Sequence, residues 1–223
     1  MDNDNSQEGN PFQDGRERDV NSSALAGAAT VAQGAALDKD YTPLTLMTTP
    51  KIDTLRAAVR DVADFPSPGI VFKDITPMLA DGVLFKSTID VLTETVAGQG
   101  VTKIVGIDAR GFIFAAAVAD RLGCGFIPVR KKGKLPWKTE GVAYDLEYGS
   151  NEIEIHSDAI ATGERVWLVD DVLATGGTAA AAAELIQRLG GDLAGMTFLI
   201  ELGFLEGRKL LPQGVQVEGV LIY

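Results

Sequence analysis

Residues 166–178, Val-Trp-Leu-Val-Asp-Asp-Val-Leu-Ala-Thr-Gly-Gly-Thr, restrict the fold more than any other part of the chain. The four leading apolar residues read as a strand buried on both faces, as in a parallel sheet. Asp170 and Asp171 follow where that strand ends. A short glycine loop comes next, and the Ala-rich residues 179–189 read as a helix. In an open α/β sheet, ligands bind at the carboxyl ends of the strands. A glycine loop feeding a helix N-terminus presents a nest of backbone N–H groups, which suits a phosphate. Two carboxylates just ahead of that nest would repel the phosphate, so they require a different partner. An ionised Asp only accepts hydrogen bonds, and a ribose diol offers two donors. The segment therefore reads as a sugar-phosphate site. The diol lies on Asp170 and Asp171, and a 5′-phosphate on Ala174, Thr175, Gly176, Gly177 and Thr178. A plain crossover turn would need neither paired aspartates nor T-G-G-T.

Strand and helix signals alternate through much of the remaining chain. Residues 103–108, 126–129, 195–201 and 217–223 predict strands, and residues 112–122 a helix. Towards the N-terminus Ile52, Leu55, Ala58, Val59 and Val62 fall at helical spacing, so residues 52–62 predict an amphipathic helix with Asp53 near its start. Pro66, Pro68 and Gly69 break it, residues 70–74 read as a short extended piece, and residues 81–97 as a second helix. Residues 130–152 form a polar insert with few core candidates, too long for an ordinary connection. Long inserts at the ligand end of such folds serve as lids. The expected class is α/β, a doubly wound parallel sheet of about five strands flanked by helices.

Charge and composition exclude several other classes. The net charge of −11 argues against a nucleic-acid or anionic-membrane partner for the molecule as a whole. Against that balance Arg130, Lys131, Lys132, Lys134 and Lys138 crowd one short stretch, as an arriving anion would require. Cys124 is the only cysteine and His156 the only histidine, which leaves little for a His/Cys metal site or a Ser-His-Asp triad. A lone cysteine in an apolar stretch reads as a small core residue and fits a reducing, cytoplasmic location. No apolar run approaches the length of a membrane span. Residues 1–50 carry eight Asp or Glu against three Lys or Arg and few large apolar side chains. They read as a disordered extension, with Met47 a plausible alternative initiator, and residues 51–223 as the folded domain.

The signature at residues 166–178 resembles the phosphoribosyl pyrophosphate (PRPP) motif of the type I phosphoribosyltransferases. Three further segments narrow the resemblance to the adenine phosphoribosyltransferases, over residues 52–223. They are residues 64–77 (DFPSPGIVFKDITP), residues 106–112 (GIDARGF), and residues 130–136 (RKKGKLP) continuing to residues 144–149 (YDLEYG). The resemblance implies a type I phosphoribosyltransferase fold, with a small hood over about residues 52–80 and a flexible lid over about residues 130–152. It implies transfer of a phosphoribosyl group from PRPP to adenine, giving AMP and pyrophosphate, and a homodimer. Phe72 would stack on the base with Val172 near its other face, and the backbone of Val71 and Lys73 would read the adenine edge. Ala109 and Arg110 would hold pyrophosphate on a loop containing a non-proline cis peptide; Ala109 replaces a serine found in some relatives. Arg130 and Lys134 would stabilise the departing pyrophosphate. Arg110, Glu147 and Tyr148 would serve catalysis, with Glu147 as acid/base partner for the adenine imidazole proton or, alternatively, as an organiser of the lid. Mg²⁺ would arrive on PRPP, reached by Asp170 and Asp171 only through water. Two other readings remain at this point. One is the same chemistry on hypoxanthine, guanine or orotate; the other is a PRPP-sensing regulator, which would need a basic face or an appended helix-turn-helix.

Overall fold

The computed structural model describes residues 49–146 and 149–223. Helix α1 (Thr49–Ala58) is followed by two short strands, β1 (Arg60–Ala63) and β2 (Val71–Asp74), which pair antiparallel as a separate two-stranded sheet. The expected helix over residues 52–62 therefore stops early. Val62 pairs with Phe72, and the directly opposed pairs Arg60–Asp74 and Asp61–Lys73 are both of opposite charge. Cross-strand charge pairs of this kind set the register of a hairpin, and no local helical spacing reveals them.

A short helix α2 (Thr76–Ala80) leads into α3 (Gly82–Val96), whose first turn is capped by Asp81 accepting from the N–H groups of Val83 and Leu84. Then come β3 (Lys103–Ile107), α4 (Gly111–Leu122), β4 (Gly125–Lys131), β5 (Thr139–Leu146), β6 (Gly149–His156), β7 (Arg165–Leu173), α5 (Gly177–Arg188), β8 (Asp192–Glu201) and β9 (Gln216–Ile222). Strands β4, β3, β7, β8 and β9 form the parallel part of one sheet in the order β5-β6-β4-β3-β7-β8-β9. The chain leaves β3 through α4 towards β4 and leaves β7 through α5 towards β8, in opposite directions. The gap between the ends of β3 and β7 is thus the switch point at which such sheets bind ligands.

Successive residues of β7 serve opposite faces, as the two-residue period of a strand requires. Val166 and Leu168 join a core with Leu185 and Ile186 of α5, whereas Trp167 and Val169 join one with Phe114 and Val118 of α4 and Leu92 of α3. Strand β7 runs on to Leu173 rather than ending at Val169, so Asp170 pairs with Phe198 and Leu173 with Glu201.

The polar insert is mostly sheet. Strands β5 and β6 make an antiparallel hairpin that joins the parallel strands where Arg130 pairs with Glu154 and Lys131 with Ile153. Val142, Ile153 and Ile155 are buried in the core beside α5. Of these three only Val142, between Gly141 and Ala143, falls within the insert read over residues 130–152, which thus holds few core residues as expected; Ile153 and Ile155 follow it, each between polar or charged neighbours. Alternation of this kind is what a half-buried hairpin shows.

Candidate active site

Two loops meet at the switch point. The loop leaving β3 carries Asp108, Ala109 and Arg110, and its Asp108–Ala109 peptide is cis, the feature the resemblance implied for this segment. The other follows β7, whose last residues include Asp170 and Asp171, and runs through Ala174, Thr175 and Gly176 into α5, which opens with Gly177 and Thr178. Together with Val172, these residues line one cleft of about 290 Å³. The start of α4 meets the end of β7 directly. A Cβ at Gly111 would overlap the Asp170 carboxylate, so the residue that opens α4 has to be glycine to leave room for it.

The aspartates carry the cleft's electrostatics. Asp170 and Asp171 are 8% and 7% exposed. Asp170 Oδ1 accepts the Asp171 N–H at 3.0 Å, and Arg110 Nη2 stands 2.7 Å from Asp171 Oδ2. Burial pushes the Asp170 carboxyl well above the usual carboxylate range, and the neighbouring Asp171 charge pushes it further. Burial also raises Asp171, against the opposing pull of Arg110. Two carboxylates facing one guanidinium leave a surplus of negative charge in a desolvated cleft. Ribose hydroxyls as donors and a cation would both relieve it.

Gly176, at φ 88°, is the cap residue of α5, and Gly177, Thr178 and Ala179, which open the helix, line the cleft; the first N–H groups of a helix have no partner within it. The Thr178 hydroxyl donates to the Tyr144 phenol oxygen of β5 at 3.1 Å, tying the insert hairpin to this loop. Arg130 Nε donates to Asp108 Oδ2 at 3.1 Å and its Nη1 to the Lys134 carbonyl at 3.0 Å, while Lys134 itself is exposed. The basic cluster therefore begins one hydrogen bond away from the loop after β3.

On the hood side, Val71, Phe72 and Lys73 lie on β2, a strand paired on one edge only. Phe72 reaches the cleft through Arg110, whose guanidinium carbon lies 5.3 Å from the ring centre, and Phe65 packs edge-on against the same ring. Glu147 and Tyr148 lie outside the described residues. Among the described residues no group of three or more His, Cys, Asp or Glu side chains could hold a metal ion. Contacts that sequence reasoning missed are those of Asp108 with Arg130, of Tyr144 with Thr178, and of Gly207 with Gly176. The first alone had a local signal, an aspartate ending a buried strand.

Comparison with known proteins agrees with this geometry. The phosphoribosyl transferase domain family model matches residues 86–203. The adenine phosphoribosyltransferase of Streptomyces coelicolor is 58% identical over 172 residues, 76% of this chain and 94% of that one. That of Myxococcus xanthus is 56% identical over 166 residues, 74% and 90% of the two chains. Among solved structures, adenine phosphoribosyltransferase from Rhodothermus marinus superposes with a TM-score of 0.75 at 51% identity, covering 79% of this chain and all (100%) of that one. The Saccharomyces cerevisiae enzyme, complexed with an imino-altritol bisphosphate and adenine, gives 0.74 at 40% identity over 78% of this chain and 100% of that one.

Proposed function

The chain belongs to the adenine phosphoribosyltransferase family, and from that membership we infer its reaction. The protein transfers the 5-phosphoribosyl group of PRPP to adenine, giving AMP and pyrophosphate. The observation that carries the reading is the meeting of the Asp108–Ala109–Arg110 loop with the Asp170–Thr178 segment in one cleft at the switch point. Purified protein with adenine, PRPP and Mg²⁺ should form AMP, with hypoxanthine, guanine and orotate competing poorly. Absence of AMP, or faster use of another base, would overturn it.

The assignment of side chains is our proposal. Asp170 and Asp171 accept the ribose hydroxyls, which relieves the surplus negative charge of the cleft. Ala174, Thr175, Gly176, Gly177 and Thr178 take the 5′-phosphate on their N–H groups and on the Thr178 hydroxyl, whose one proton would turn from Tyr144 to the phosphate while the Tyr144 phenol donates to Thr178 in its place. Ala109 and Arg110 hold pyrophosphate. Arg130 and Lys134 add positive charge as the C1′–O bond to pyrophosphate breaks and negative charge grows on the leaving group. Arg110 would have to exchange Asp171 for phosphate oxygens, a swap its five donors allow. Adenine stacks on Phe72 near Val172, with its edge along the backbone of Val71 and Lys73. Its ring nitrogen forms the new bond to C1′, and the imidazole proton passes to Glu147, with Tyr148 as the second member of the catalytic pair the resemblance implies.

Magnesium belongs to the same proposal. The donor set fits an ion carried by PRPP: two buried carboxylates are too few for a protein-held site and suit contact through the ion's waters. When bound, Mg²⁺ neutralises charge developing on pyrophosphate. A homodimer is proposed from the resemblance and from the exposed apolar residues Ile113 (40%) of α4 and Phe126 (36%) of β4, the latter packed edge-on against Phe112. Sedimentation of the protein tests it. A cytoplasmic location rests on the single, unpaired Cys124. No described helix is long and apolar enough to cross a membrane. Residues 1–50 are proposed as an extension dispensable for catalysis, so deleting residues 1–46 should leave kcat and Tm nearly unchanged.

A further inference from the structure

The phosphate loop has a neighbour with no side chain between them. Gly176 and Gly207 meet backbone to backbone: a Cβ on Gly176 would overlap the Gly207 carbonyl oxygen, and a Cβ on Gly207 would overlap the Ala174 carbonyl oxygen and stand 3.0 Å from the Gly176 nitrogen. Gly207 is buried and begins a single 3₁₀ turn, Gly207–Leu210. The segment joining β8 to β9 therefore forms a floor under the loop at residues 174–178.

The next residue fixes that floor. Arg208 grips Glu201 with both arms of its guanidinium, Nε to Oε1 at 2.6 Å and Nη2 to Oε2 at 2.7 Å, and donates from Nη1 to the Val217 carbonyl at 2.8 Å. Glu201 ends β8 directly opposite Leu173, the last residue before the phosphate loop begins. It is 7% exposed, and a Cβ at Gly219 would overlap its carboxylate, so it has no room to swing away. A forked pair of this kind fixes direction as well as distance, which a single point-charge contact does not. The order is therefore Glu201 to Arg208, Arg208 to the backbone of Gly207, and Gly207 to the backbone of Ala174 and Gly176.

We propose that Glu201, Gly207 and Arg208 are positioning residues for the PRPP 5′-phosphate: the ion pair clamps the β8–β9 segment so that Gly207 holds the phosphate loop with its N–H groups convergent. The proposal rests on the reading of residues 174–178 as the 5′-phosphate site. None of the three residues needs to touch the substrate. Their effect is confined to one end of it, because pyrophosphate is assigned to the loop after β3.

Calorimetric titration of the full-length protein with ribose 5-phosphate and separately with pyrophosphate and Mg²⁺ tests this, alongside steady-state kinetics. Arg208→Lys keeps the charge and loses the fork; Gly207→Ala keeps the ion pair and pushes on Ala174 and Gly176. Both should weaken ribose 5-phosphate binding about tenfold or more and raise the KM for PRPP, since small displacements of a binding group have large effects. Pyrophosphate affinity, the KM for adenine and kcat should stay within about twofold of wild type. A pair that serves only the stability of the fold would lower Tm and leave the two ligands' affinities in their original ratio, which overturns the proposal. Retained ribose 5-phosphate affinity in Gly207→Ala overturns it even if Arg208→Lys fails to fold. Should the wild-type protein make AMP yet bind no ribose 5-phosphate, the phosphate reading of the loop falls first, and the clamp with it.

Discussion

Arg110 Nη2 lies 2.7 Å from Asp171 Oδ2, so an ion pair spans the cleft between the loop after β3 and strand β7. The same guanidinium lies over the Phe72 ring, which puts one cation between the proposed pyrophosphate, ribose and base subsites. Among the described residues Asp170, one residue away, has no cation at that distance; its Oδ1 accepts the Asp171 N–H.

Asp170→Asn should therefore make the ligand-free protein more stable and the enzyme worse. The amide oxygen can still accept from the Asp171 N–H, its NH₂ can donate to the Asp171 carboxylate, and a buried charge is removed. Tm should rise by about 2–4 °C, the shift expected for roughly 1 kcal/mol in a domain of this size. PRPP binding should weaken by about one to two decades, the worth of a charge-assisted hydrogen bond of about 1.5–3 kcal/mol. Thermal melts and calorimetry on one preparation check both. A lower Tm with unchanged PRPP affinity would contradict the ribose assignment.

The pH dependence of that difference has a definite sign. Burial raises the Asp170 carboxyl in the folded chain, so between its unfolded value, about 4, and its higher folded value the native state holds the extra proton. Its contribution to stability is favourable below that window and is lost as pH rises through it. The Tm advantage of Asp170→Asn should thus be small near pH 4 and grow towards neutrality. Other groups run the opposite way. Hydrogen bonds from Thr76 and Arg60 hold the Asp74 carboxyl down at about 2, a contribution lost as pH falls. Only the gap between wild type and variant isolates Asp170, and a gap that shrinks with rising pH would refute the account.

Tyr144→Phe removes the phenol oxygen that accepts from Thr178 at 3.1 Å and leaves the ring packed beside α5. A hydrogen bond between neutral groups is worth about 0.5–1.5 kcal/mol net, so the KM for PRPP should rise about two- to tenfold. The KM for adenine should not move. Thr178→Val in the same background should add less than it does alone, because the two changes remove one shared contact. Fully additive effects would separate Tyr144 from phosphate binding.

The legible and illegible parts of this molecule divide by the sequence distance over which residues meet. The β7–α5 segment was readable because its buried strand, paired aspartates and glycine loop are consecutive, and each has a local physical reason. Strands β3 and β4 and helix α4 were readable from apolar runs. The early end of α1 was not, since Val62 satisfies a helical spacing and its strand role depends on residues ten or more positions away: Phe72, Lys73 and Asp74. The β5–β6 hairpin was hidden because Val142, Ile153 and Ile155 are each flanked by polar or small residues. Within the cleft the aspartates and glycines declared themselves. Tyr144 and Gly207 did not, because their contacts with Thr178 and Gly176 form only when separate connections fold onto one loop.

The resemblance that assigns proton transfer to Glu147 gives the sharpest kinetic test. If its carboxylate takes the adenine imidazole proton as the bond to C1′ forms, Glu147→Gln keeps the shape and removes the basicity. Turnover should fall by about two to four decades while the KM for PRPP stays within a few-fold. A role in ordering the insert predicts the reverse: PRPP binding weakens, and turnover recovers at saturation. Trp137, 63% exposed in the turn between β4 and β5, gives an independent signal, because burial of its indole on adding PRPP would change its fluorescence. A variant that shows the wild-type fluorescence change but barely turns over assigns the chemistry to Glu147. One that turns over normally once saturated assigns the proton to water and leaves Glu147 an organiser of the insert.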